Sequence, residues 1–247
     1  MENILQKQDE TLENLQPYGL KILQKKKGFR FGMDSVLLAD FADIRGNDLV
    51  ADFGTGSVVI PLLLIGRKKG KYFYGFEIQP EIADMAQRTV SMNHLDDRIN
   101  IICKDVKNAE KYIPLCCLDA IVCNPPYAMP GSALSSPVST RAISRNQNER
   151  TLSDFFQSAF RILKGKGRFF MVYPASQLFR AMTLLHQAHL EPKRFQLVYP
   201  NESKPANLVL IEAVKDAKPT LHPMPPLIIY DNDQSLTNRL KSIYHMV

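Results

Sequence analysis

The string Asn124-Pro125-Pro126-Tyr127 holds the groups needed to present a planar aromatic amine to an electrophile. Such an amine is a poor nucleophile because its lone pair is delocalised into the ring. The Asn124 side-chain oxygen and the Pro125 backbone carbonyl could accept its two hydrogens, letting the nitrogen pyramidalise and aim its lone pair outward. Proline lacks an N–H and fixes its own φ, so Pro125 and Pro126 would keep those carbonyls pointed. Tyr127 could stack on the face of an unpaired base, a contact worth about 1–3 kcal/mol. The alkylated amine sheds its extra proton readily. The chemistry would therefore rest on positioning and preorganised polarity rather than on a strong base.

A second set of residues lies upstream. Asp52 precedes a turn carrying Gly54 and Gly56, between a short apolar run and a helical period. Glycine permits a tight turn and lets a ligand approach the backbone. A dinucleotide fingerprint would place a third glycine at position 59, where this chain has Val59, and no Gly-Lys-Ser/Thr follows for a phosphate loop. An acid before the turn suits a ligand carrying a positive ammonium, and S-adenosylmethionine carries both an ammonium and a sulfonium. Glu77 could accept from two ribose hydroxyls, and Asp105 from an adenine amine. Each feature alone also reads as an ordinary turn or a solvated strand-end acid; three acids at successive strand ends make a pattern.

The elements that must position these groups alternate along the chain. Short β-branched runs at Leu49–Phe53, Lys71–Ile78, Ile99–Cys103, Leu118–Cys123, Arg168–Tyr173, Arg194–Tyr199 and Asn207–Val214 predict strands. Between them fall helical periods, among them Ile82, Met85, Ala86, Thr89 and Val90, and the segment from Leu152 opened by Thr151 and Asp154. The alternation predicts an α/β fold with a doubly wound, mainly parallel sheet. Ligands of such sheets sit beyond the carboxyl ends of the strands, where every residue named above falls. The last two strands, separated by a short connection, are expected to pair antiparallel at a sheet edge. Residues 128–150 read as a long loop of substrate-element type. Residues 1–45 are expected to form a helical extension, loosely ordered over its first 16 residues, packed on a catalytic domain at 46–247.

The chain has 247 residues, 45% of them hydrophobic and 23% charged, enough for a full core without staples. Cys103, Cys116, Cys117 and Cys123 form no C-x-x-C pair, which favours a reducing cytoplasm. The first 16 residues contain no apolar stretch of the secretory type, and the longest apolar run, Val58–Ile65, is too short to span a bilayer. A net charge of +6 and an isoelectric point near 9.1 point weakly to a polyanionic partner. His186 and His189 lie three apart with no acid or cysteine completing a ligand set, so no metal is expected. Phe155, Phe156 and Phe160 read as core.

At its turn, acids and Asn-Pro-Pro-Tyr string the chain resembles the class I methyltransferases whose fourth strand ends in (Asn/Asp)-Pro-Pro-(Tyr/Phe/Trp). More narrowly it is similar to the bacterial tRNA (adenine-N6)-methyltransferases that act on adenine-37 of tRNA1(Val). The likeness runs over about residues 15–235, through FRFGMDSVLLADFA (29–42), ADFGTGSVVIPLLL, GFEIQPEIADMAQRTVSMN, DAIVCNPPY and EPKRFQLVYPNESKPANLVLIEAVKDAKP. It implies a seven-stranded Rossmann-like sheet with the last strand antiparallel. It implies S-adenosylmethionine held by Asp52, Gly54, Gly56, Glu77 and Asp105, and an adenine of RNA, tRNA in particular, held by Asn124 to Tyr127. Phe31 and Asp34 fall in the most family-specific stretch and are substrate-side candidates. Arg145, Lys26 and Lys27 are candidates for backbone phosphates. Two departures stand out. The family continues its turn as Gly-x-Gly-x-Gly, whereas Val58 occupies the third glycine position here, and Arg145-Asn146-Gln147 stands where some relatives have Arg-His-Glu.

Three readings follow: methyl transfer to adenine N6 in RNA with the base swung out of its stack, amide methylation of a protein glutamine by the same four-residue geometry, and an RNA-binding module in which Val58 has impaired catalysis. Lys193, Arg194 and Lys204 form a second, weaker phosphate-contact set.

Overall fold

The computed structural model describes residues 6–27, 31–125 and 152–246. After an N-terminal hairpin, β1 (Glu10–Leu15) and β2 (Leu20–Lys25), the chain runs through α1 (Met33–Phe41), β3 (Leu49–Phe53), α2 (Val59–Gly66), β4 (Tyr72–Phe76), α3 (Pro80–Met92), β5 (Ile99–Ile102), a 3-10 helix (Val106–Lys111) and β6 (Leu118–Cys123). A helix over 152–162, α4, leads into β7 (Leu163–Pro174), α5 (Leu178–Gln187), β8 (Leu190–Tyr199) and β9 (Leu208–Lys215). The two-residue strands β10 (His222–Pro223) and β11 (Leu227–Ile228) precede the terminal helix α6 (Asn238–Ile243).

The main sheet has the order β10-β8-β9-β7-β6-β3-β4-β5, with β11 also on β8. Strands β3 to β7 are parallel, and β9 inserts antiparallel between β7 and β8. The seven long strands β3 to β9 match the sequence expectation, including the antiparallel last one. The expected edge pair differs: β9 is interior, and the outer side of β8 carries β10 and β11, both parallel to it. The chain winds outward from β3 through β4 to β5 and then returns to β6 on the other side of β3, so the winding reverses between β3 and β6.

Two apolar layers follow from the two-residue period of the strands. Val50, Phe73, Ala120, Val122, Phe170 and Val172 face a core shared with α1, α2, α3 and α6. Ala51, Phe53, Phe76, Ile121, Cys123, Phe169 and Met171 face the opposite core, with α4 and α5. Helix α1 is apolar on nearly every side, as a helix enclosed by neighbours must be. Phe155 and Phe156 are buried as expected, whereas Phe160 is only partly covered, its ring 4.4 Å from the Lys215 ammonium. Among the described residues no helix is long and apolar enough to cross a membrane.

The N-terminal segment departs from expectation. Residues 10–25 form an antiparallel hairpin, not a loose helix. Its polar letters concealed buried, satisfied groups. Glu10 is fully buried and takes two hydrogen bonds from Arg88 on α3, at 2.7 and 2.6 Å, plus one from the Lys7 N–H at 2.9 Å. Gln24 donates to Glu13 and accepts from the Phe31 N–H. Leu23 and Lys21 donate their N–H groups to Thr89 and Asn93 of the α3 end. Arg67, just beyond α2, ties hairpin, α1 and α6 together through the Tyr18 hydroxyl, Asp40 and the Ile243 carbonyl.

Burial alone would raise the Glu10 carboxyl, but the Arg88 and Lys7 hydrogen bonds outweigh it and hold it below its ordinary 4.5. Its stabilising contribution is therefore present above that value and lost as pH falls through the lowered one. Arg88→Ala is expected to destabilise the protein by on the order of 2 kcal/mol at pH 7. The difference from wild type should shrink below about pH 4, as read by urea unfolding at both pH values.

Candidate functional site

Parallel register sets the site. Phe53 of β3 pairs with Phe76 of β4 and with Cys123 of β6, and Phe76 pairs with Ile102 of β5. The residues just past these positions, Gly54, Glu77, Asn124 and Cys103, therefore emerge in one row at the carboxyl edge, on strands about 4.8 Å apart. Asp105 follows two residues after Cys103.

The turn after β3 is sewn to the end of β4. Gly54 and Thr55 both donate their N–H to the Phe76 carbonyl, at 3.0 and 2.8 Å. Gly56 donates its N–H to Glu77 Oε2 at 3.1 Å, and Glu77 Oε1 accepts from the Gln79 N–H at 2.9 Å. Both oxygens of Glu77 are thus oriented by backbone and keep lone pairs for further donors. Gly54 and Gly56 have φ of +77° and +54°, and a methyl group added at either would meet nothing within 4 Å. Among the described residues, the turn borders open space rather than packed protein.

Asp52 is fully buried beneath this turn. Its Oδ2 accepts from the Thr55 hydroxyl at 2.7 Å, and its Oδ1 is buried with no hydrogen-bond partner among the described residues. Burial drives this carboxyl up, the Thr55 hydroxyl opposes the shift, and the nearby Glu77 charge adds to it, leaving it near 7 against an ordinary 3.8. An unsatisfied buried acceptor beside an open glycine turn suits a cationic ligand that donates N–H groups. The residues present thus fit the ammonium and ribose of S-adenosylmethionine. At the next strand end, Asp105 caps the 3-10 helix by accepting from the Lys107 N–H at 3.0 Å, and its other oxygen pairs with the Lys107 ammonium at 3.1 Å.

Val58 is a cost built into the turn. Its φ of 65° and ψ of 22° are left-handed, a region strongly disfavoured for a β-branched residue. Its side chain is fully buried and belongs to the α1/α2 core, so it is turned away from the open side of the turn. The third-glycine position thus keeps its conformation while the valine packs inward.

Asn124 stands at the end of β6. Its Nδ2 donates to the Ser35 hydroxyl on α1 at 3.4 Å, and its Oδ1 has no partner among the described residues. Ser35 is itself buried. It is the one hydroxyl in an otherwise apolar stretch of α1, which is why sequence reasoning passed over it. Pro125 is buried, and Pro126, Tyr127 and Arg145, together with the expected loop 128–150 and the Thr151 cap, lie outside the described residues. Phe31 and Asp34 flank the N-terminal end of α1, next to Ser35. Lys25 pairs with Asp9 at 2.6 Å and reaches Glu81, at the start of α3, at 3.9 Å, which brings the lysine run to the carboxyl-edge rim. Lys26 donates to the Gln8 carbonyl at 2.7 Å, and Lys27 is exposed.

The second cationic set is mostly engaged elsewhere. Lys193 donates to the Lys218 carbonyl and the Thr220 hydroxyl, and Arg194 pairs with Glu212 and donates to the Phe41 carbonyl. His186 pairs with Glu191, His189 lies beyond the end of α5, and no group of metal-ligating type forms among the described residues.

The model of the methyltransferase small domain matches residues 32–191. A curated protein from Bacteroides thetaiotaomicron, named tRNA1(Val) (adenine(37)-N6)-methyltransferase, is 28% identical over 173 residues, 68% of this chain and 70% of that protein. Among solved structures, a predicted O-methyltransferase from Agrobacterium tumefaciens is similar at a TM-score of 0.69 and 19% identity, covering 86% of this chain and 96% of its own. A chain from M. jannaschii solved in complex with AdoMet is similar at 0.55 and 15% identity, covering 84% of this chain and 86% of its own.

Two outcomes are expected from this geometry. The folded protein retains a proton on Asp52 between about pH 4 and 7 that the unfolded chain has released, so this group costs stability as pH rises through that window. Asp52→Asn should therefore raise the melting temperature of the ligand-free protein at pH 8 and leave it nearly unchanged at pH 4. At position 58, Val58→Ala loses packing but keeps the left-handed strain, whereas Val58→Gly relieves it. The alanine variant is expected to be the less stable of the two by about 1 kcal/mol in urea unfolding.

Proposed function

We propose that this chain, which belongs to the methyltransferase small domain family and uses S-adenosylmethionine as methyl donor, methylates the exocyclic N6 amine of an adenine in RNA, with tRNA as the acceptor class. The observation that carries the reading is the Asn124 amide. It stands one strand away from the Asp52–Gly56 turn, with its Nδ2 on Ser35 and its Oδ1 without a partner among the described residues. The name of the B. thetaiotaomicron relative supports the same acceptor.

The bound donor supplies a methyl group made electrophilic by its sulfonium. Asp52, through its unpartnered oxygen, would hold the ammonium end, and Glu77 the ribose hydroxyls. Asp105 would face the adenine amine of the donor. On the acceptor side, Asn124 Oδ1 and the Pro125 carbonyl would accept the two N6 hydrogens, drawing the nitrogen out of conjugation. Ser35 positions the amide: by accepting from Nδ2 it leaves the oxygen, not the nitrogen, toward the acceptor. Pro126 and Tyr127 complete the string, Tyr127 as the stacking face for a base taken out of its stack. The methylated nitrogen carries one proton too many, which passes to water without a dedicated base. Lys26, Lys27 and Arg145 would meet backbone phosphates, with Phe31 and Asp34 at the substrate side of α1.

The test is transfer of tritiated methyl from S-adenosylmethionine to unmodified bulk tRNA, with the labelled nucleoside identified. N6-methyladenosine is expected; label in protein glutamine, with none in RNA, would overturn the reading. Asn124→Ala should lower kcat by at least about a hundredfold with cofactor affinity nearly unchanged. Ser35→Ala should lower kcat by about tenfold with KM for the cofactor unmoved.

A further inference from the structure

A cleft of about 600 Å³ lies apart from the turn and the Asn124 string, between the β8–β9 connection and the loop that follows β11. Its lining includes Asn201, Ser203, Lys204, Tyr230, Asp231 and Gln234. Topology fixes which edge it occupies. Strands β7 and β8 are both antiparallel to β9, so β8 ends at the same edge as β6 and β7. Strand β11 runs parallel to β8 and ends beside Tyr199, so residues 229–234 emerge there as well. The walls are joined by backbone: Ile229 and Tyr230 donate their N–H groups to the Tyr199 and Pro200 carbonyls, each at 2.9 Å. The cleft therefore faces the same side as Asn124, about three strand spacings or roughly 14 Å across the sheet.

Asn124 contacts Ser35, whose neighbour is Asp34. The Tyr244 hydroxyl of the C-terminal segment lies within electrostatic reach of both Asp34 and Tyr230. Tyr230 is 39% exposed, an aromatic ring presented to solvent rather than folded into the core. Of the cationic trio on this flank, Lys193 and Arg194 are engaged by the protein itself, while Lys204 is exposed and its ammonium has no partner among the described residues.

We propose that this cleft is a second nucleotide subsite, which takes a nucleotide of the same RNA strand a few positions from the target adenine. The base stacks on Tyr230, its phosphate meets Lys204, and Asp231 with the Asn201 and Gln234 amides reads the polar edge of the base. A ring to stack on, an exposed cation and several amide groups are the parts a single-stranded nucleotide requires. The subsite rests on the RNA reading given above. It adds what Asn124 alone cannot supply, a contact that discriminates among RNAs by what lies beside the modified base.

Two measurements on the full chain test it. One is steady-state methyl transfer to unmodified tRNA; the other is fluorescence anisotropy of a fluorescein-labelled RNA stem-loop with an adenine in its loop. Wild type is compared with Lys204→Ala, Tyr230→Ala and Tyr230→Phe. The two alanine variants should each raise KM for tRNA and Kd for the stem-loop by about tenfold. Neither should move KM for the cofactor, and Tyr230→Phe, which keeps the ring, should behave as wild type. Lys204→Ala should also lower the slope of log Kd against log salt by about one. Wild-type KM, Kd and salt slope in both alanine variants would sink the subsite and leave the RNA reading standing if wild type methylates tRNA. An equal kcat loss in Tyr230→Ala and Tyr230→Phe, with no change in Kd, would sink it too, because that pattern belongs to support of Tyr244. Methyl transfer by wild type to protein and not to RNA would remove both.

Discussion

Asp52 is held under the glycine turn after β3 with one carboxyl oxygen unsatisfied among the described residues, and the register of the central strands keeps it there. No cation pairs with it among the described residues: Thr55 supplies a single hydrogen bond, and the Glu77 charge adds repulsion. The position is fixed by the register of β3 between β4 and β6 and by the paired N–H groups that fasten the turn to Phe76. A buried acceptor left open in this way is unfavourable for the isolated protein and favourable once a donor cation arrives. The binding half of the site thus carries its own preference for a positively charged partner before any ligand is present.

Val58 illustrates how a family rule can be broken without breaking its geometry. A glycine would take the left-handed conformation without steric cost. The valine takes it too, with its side chain buried in the layer made by α1 and α2. Burial of an apolar side chain, on the order of 1.5–3 kcal/mol, is of the same size as the backbone penalty of about 1–2 kcal/mol. The left-handed turn is formed here by a valine whose side chain packs inward, and the binding-only reading loses the observation that motivated it.

The sheet and its carboxyl-edge row were legible because strands announce themselves by β-branched runs and parallel register follows from strand-helix alternation. The seven long strands and the strand-end places of Asp52, Glu77 and Asp105 came from those signals, and the antiparallel last strand from its short connection and the family resemblance. The hairpin did not. The partners of Glu10, Gln24 and Lys25, namely Arg88, Glu13 and Asp9, lie on other elements or across the strand pair, and no local period encodes such matching. Ser35 was hidden for another reason, a single hydroxyl between Asp34 and the apolar run Val36–Ala39 whose meaning appears only when β6 arrives beside α1. Lys193 and Arg194, grouped with Lys204 as a basic patch, part company in space, since only packing reveals that Glu212, Thr220 and the Phe41 carbonyl already claim them.

The reversal of winding between β3 and β6 divides the edge into two halves. Strands β3, β4 and β5 carry Asp52, Glu77 and Asp105, while β6, β7 and β8 carry Asn124 and the loops on its flank. The two halves meet along one pair of neighbouring strands and otherwise build their loops from separate stretches of chain. On the function proposed above, changes confined to the later stretch retarget the acceptor side without disturbing the donor side, so what is modified can diversify while the means of modification stays fixed.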